Sequence, residues 1–69
     1  MKEIETKADG VTVKLSGDDI DLLMNAINET LENVEAWEFS TRTGFGEAEF
    51  QRLHEMLSLL RKKMEQPDL

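Results

Sequence analysis

The sequence predicts an α+β fold, an N-terminal β-hairpin followed by an antiparallel two-helix hairpin with an aromatic connector. Three observations carry this. Val11, Val13 and Leu15 alternate with Thr12 and Lys14, the pattern of a half-buried strand. Ile20, Leu23, Met24, Ile27, Leu31 and Val34 recur on one helical face, and Phe50, Leu53, Leu57, Leu60 and Met64 do so again after a break. Between the helical stretches lies "WEFSTRTGFG", Trp37 to Gly46, with the single Trp, two of the three Phe residues and two glycines.

Each element has a local signal. Residues 2–6 and 11–15 flank "KADG", and Asp9-Gly10 marks the turn because Gly tolerates positive φ, so the hairpin occupies about 2–15. Ser16 caps the first helix, with Asp19 in capping-box position and Asp18 and Asp21 favoured by the helix dipole. That helix should run over about 17–36. The second, about 47–65, starts from a Gly46 cap with Glu49 three residues on. It ends with Arg61, Lys62 and Lys63 in its final turns and Pro67 beyond them, with Met56 bordering its apolar stripe. The connector, about 37–46, alternates Trp37, Phe39, Thr41 and Thr43 with Glu38, Ser40 and Arg42. That pattern suits a short third strand or an extended turn whose aromatic residues plug the end of the helix pair. Both apolar helix faces and one strand face would then share a core.

The chain has 69 residues, one small domain, and cores of this size supply about 3–5 kcal/mol of net stability. It has no Cys, so disulfides and Cys-based zinc sites are excluded, and one His, His54, is too few for a histidine-rich metal site. The acids have no EF-hand spacing, and no cofactor is expected. No run approaches the roughly 18 apolar residues of a membrane span, so a soluble, cytoplasmic protein is expected, without membrane contact.

Candidate chemistry is sparse. Gly44-Phe45-Gly46 before a helix invites a phosphate-loop reading, but no Lys follows, and Glu47 and Glu49 would repel the anion. His54 has Ser16, Ser40 and Ser58 as conceivable nucleophile partners, with no nucleophile-elbow pattern around any of them. The expectation is a protein that is not an enzyme. Arg42 sits among Trp37, Phe39 and Phe45, placed to stack on a ring or to pair with Glu38, as a structural fastening or at a binding rim.

Charge is the better guide. Residues 1–38 hold ten acids and three bases, a net of −7, whereas residues 39–69 hold five of each. Such a surface repels phosphates, which disfavours direct nucleic-acid binding. On the first helix Asp18, Asp21, Asn25, Glu29, Glu32 and Glu35 form one polar stripe, and Gly17 to Glu38 contains no base. Like charges so spaced repel by a few tenths of a kcal/mol per pair, a cost that a basic protein partner would relieve. The plain alternative is a solvated face. Leu22 and Leu59 lie off both buried stripes, which on a domain short of core raises the prospect of a weak homodimer.

The stretches "LSGDDIDLLMNAINETLENV" and "WEFSTRTGFGEAEFQRLHEML" resemble small, mostly uncharacterised bacterial proteins with an LSxxELxLLxNALNE…EFxTRxG pattern. Leu15, Ser16, Leu22, Leu23, Asn25, Ala26, Asn28 and Glu29 match the first block, and Glu38, Phe39, Thr41, Arg42 and Gly44 the second. Asp19 stands where Glu is usual, and Gly46 where a Ser cap is common. Some proteins of this type look like toxin-immunity proteins. The resemblance thus implies an acidic inhibitor that occludes a basic toxin surface, and opposite charge would speed association. A homodimeric structural or regulatory module, and a DNA-mimic inhibitor, are the alternatives.

Overall fold

The computed structural model describes residues 1–65. It is α+β: strands β1 (Lys2–Lys7) and β2 (Gly10–Lys14), helix α1 (Gly17–Asn33), a 3-10 turn (Ala36–Glu38), the short helix α2 (Phe39–Thr43) and helix α3 (Glu47–Glu65). The expected stop at Pro67 lies outside the described residues.

β1 and β2 pair antiparallel, with Lys7 opposite Gly10, so the two-residue loop is Ala8-Asp9 and Gly10 already belongs to the ladder. The expected positive φ at Gly10 is absent; among the described residues Gly44 alone has one. Register shifts between Glu3 and Glu5, leaving Ile4 as the extra residue of a bulge. Every residue of both strands is exposed, Val11 and Val13 included. The expected strand face in the core is therefore corrected. The ribbon has only two strands and lies beside the helix pair, touching it near Val13 and Leu15.

Ser16 and Asp19 form the predicted capping box: the Asp19 amide donates to Ser16 Oγ (3.1 Å) and the Ser16 amide to Asp19 Oδ2 (3.0 Å). The Met1 amino group lies 2.6 Å from the same carboxylate. That cation first, and then the Ser16 amide, lower the Asp19 pKa from 3.8 to about 2. A carboxylate depressed in the folded state stabilises the fold above its unfolded pKa, near 3.9, and that contribution disappears as pH falls toward 2. Melts between pH 5 and 2 should therefore show a falling Tm, with a shallower fall in Asp19→Asn. Equal slopes would remove Asp19 from the acid response.

α1 stops at Asn33, three residues short of the expected end. Its last turn holds the acid Glu32 and no base, which opposes the helix dipole. Asn33 Nδ2 donates to the Glu29 carbonyl (2.8 Å), competing with the backbone ladder, and Val34 is extended. The connector is helical, not a strand. Its alternation rested on Thr41 and Thr43, which are not apolar, and Thr43 Oγ1 instead donates back to the Phe39 carbonyl (2.8 Å). Gly44, at φ 83°, ends α2 as its amide donates to the Ser40 carbonyl (2.8 Å). Gly46 and Glu49 then start α3 as expected, the Gly46 amide donating to Glu49 Oε1 (3.1 Å).

The core lies between α1 and α3. Ile20, Ile27 and Leu57 are buried, with Leu15, Leu23, Met24, Leu31 and Phe50 partly buried around them. Phe39 is 1% exposed and stands edge-on to Phe50, ring centroids 4.9 Å apart, fastening the connector to the pair. Phe39 is the one aromatic that plugs this end; Trp37 and Phe45 stay in solvent.

Candidate functional site

Two faces of the helix pair remain open. On α1, Asp18, Asp21, Asn25, Glu29 and Glu32 are all exposed, as the stripe requires. Glu35 is exposed as well, but in extended backbone beyond the helix end, so it leaves the stripe. Asp21 is not free either: Arg61 Nε of α3 donates to its Oδ1 (3.1 Å), and the pairing of an early α1 residue with a late α3 residue shows the helices to be antiparallel. Gly17 admits that guanidinium, since a Cβ there would lie 3.0 Å from Arg61 Cζ. The unneutralised part of the stripe is Asp18, Glu29 and Glu32 with Asn25. Leu22, 68% exposed, stands among them at the spacing of one helix face.

Beyond α1, Trp37 is 82% exposed in the 3-10 turn. Composition flagged this Trp as a core plug; the fold makes it the largest aromatic in solvent among the described residues. Arg42 Nη1 donates to Glu38 Oε1 (3.3 Å) across one turn, so of the two expected roles it takes the pairing one. Both partners keep solvent access, and such a pair contributes a few tenths of a kcal/mol.

The second face is on α3. The spacing predicted Phe50, Leu53, Leu57, Leu60 and Met64 as one buried stripe, but α3 turns a neighbouring strip toward α1. Leu57 is 5% exposed and Phe50 half-buried, while His54, Ser58 and Arg61 share that side. Leu53 (53% exposed), Met56, Leu60 and Met64 are left in solvent. The Asp21–Arg61 pair helps to hold this rotation. Leu59, exposed as expected, lies on another side, by a shallow hollow with His54, Glu55, Ser58 and Lys62.

The catalytic alternatives gain nothing from this geometry. Ser16 is engaged in its cap, Ser40 is exposed on α2, and His54 Nε2 is buried without a hydrogen-bond partner, close to Ser58 in sequence but not bonded to it. Among the described residues no group of three or more His, Asp or Glu is placed to hold a metal, and no helix is long and apolar enough to cross a membrane. In comparisons with known proteins, no family model, no curated protein and no solved structure matches the chain.

Proposed function

We propose that this chain is a small protein-binding module that occupies a basic surface of another protein. An immunity-type inhibitor of a cationic toxin is the form the sequence resemblance favours. The observation that carries the reading is Trp37, 82% exposed in the turn that follows α1, a helix whose exposed side bears Glu29 and Glu32 and no base. Exposed Trp is rare where it has no partner, and Trp dominates binding hot spots when covered. Leu22 supplies a second apolar anchor beside Asn25 and between Asp18 and Glu29, whose two carboxylates steer a cationic partner.

Trp37 is the chain's single Trp and therefore reports its own burial. Titrating in a cationic nuclease-type toxin should blue-shift its emission and give an association rate that falls as salt rises, charges being screened over about 10 Å at 0.1 M. Glu29→Lys with Glu32→Lys should weaken binding by roughly 100-fold or more while leaving helicity unchanged, because both positions are exposed. Unchanged affinity in that variant reduces the acidic stripe to a solvated face.

A further inference from the structure

We infer that two copies of this chain pair through the exposed face of α3, antiparallel, about an axis near Met56. The inference does not rest on the α1 reading, since it uses a different face.

The molecule is too open for its mass. It exposes 5690 Å² and weighs 7.9 kDa, and a compact monomer of that mass exposes roughly 4,400 Å². Four residues beyond Glu65 contribute at most about 650 Å² even at unfolded-chain exposure, so an excess of several hundred Å² remains. A stable interface takes about 800 Å² from each partner. The shape agrees: the extents are 43 × 30 × 17 Å, elongated and thin for a domain of this mass.

The occupant is argued from the face itself. Phe50, Leu53, Leu57, Leu60 and Met64 step by three and four residues, the spacing of a helix that packs on another helix, yet Leu53, Leu60 and Met64 are exposed. Open apolar grooves lie at both ends of this face. One, about 310 Å³, is lined by Phe45, Phe50 and Leu53; the other, about 510 Å³, by Val13, Leu60 and Met64. A two-fold axis at the middle of α3 brings each end of one copy onto the opposite end of the other, Leu53 against the partner's Leu60, so that each groove receives apolar side chains. Charge selects the same direction. Glu47 to Glu55 carries three acids and one base, and Met56 to Glu65, apart from the Arg61 already paired with Asp21, two bases and one acid, so antiparallel pairing sets −2 against +1 while parallel pairing sets like on like. A face that complements itself under a two-fold rotation is what a closed dimer requires.

The experiment is sedimentation equilibrium of the full chain from micromolar to millimolar concentration, with disulfide trapping in this Cys-free background. The mass should rise to about twice 7.9 kDa. Leu53→Gln with Leu60→Gln should raise the dissociation constant roughly 100-fold or more with helicity retained, both being exposed in the single chain. Leu53→Cys mixed with Leu60→Cys should cross-link. Either alone should not, because antiparallel copies set identical residues about 10 Å apart along the axis, beyond disulfide reach. A strict monomer at millimolar concentration overturns the pairing, and cross-linking of Leu53→Cys with itself overturns the antiparallel arrangement. Neither result touches the α1 reading, whose readout is Trp37 emission with a basic partner.

Discussion

Phe39→Ala should leave most of the chain unfolded at room temperature. Phe39 is 1% exposed, and its ring stands edge-on to Phe50, so truncation removes the link between the connector and α3. Deleting a buried Phe costs about 3–5 kcal/mol, and a domain of this size has roughly that much to lose. The substitution also reaches α2, a five-residue helix that cannot persist without tertiary support. Urea titration followed by circular dichroism checks this. A midpoint close to wild type would mean that the connector is not part of the cooperative unit. Phe39→Leu should recover part of the loss by refilling the cavity.

Leu57→Ala should cost about 2–5 kcal/mol, whereas Leu53→Ala, one helical turn earlier, should cost less than about 1 kcal/mol in dilute protein. Leu57 is packed among Ile20 and Ile27, while Leu53 is half in water. By spacing alone the two residues share a stripe, so the contrast measures the rotation of α3 directly. Equal costs at low concentration would place both in the core and contradict the rotation. Concentration separates the residues further. Binding of a second copy stabilises by mass action, so Leu53→Ala should become more costly as protein concentration rises, and Leu57→Ala should be costly throughout.

The elements whose signals are local were legible in the sequence. The Ser16–Asp19 box depends on four consecutive residues and their backbone, and it formed as the pattern required. The Gly46–Glu49 start of α3, the 3.6-residue period of α1 and the strand alternation around Val13 likewise specify backbone conformation over short spans. The exposure of Asp18, Asn25, Glu29 and Glu32 followed from the opposite face being apolar. These depend on spacing, and spacing is written in the chain.

What faces what was decided by the tertiary structure. Periodicity says that Leu53, Leu57, Leu60 and Met64 lie on one side of a helix, but not which edge of that side meets α1; the Asp21–Arg61 pair, forty residues apart in sequence, helps to set the rotation. Val11 and Val13 alternate like a core strand, yet a two-stranded ribbon beside a helix pair has too little surface to cover them. Trp37 and Phe39 carried the same aromatic signal, and one became the plug while the other went into water. In a chain this short the apolar residues outnumber the places a single copy has to bury them. Which of them stay exposed depends on packing over long separations, and no local pattern encodes that.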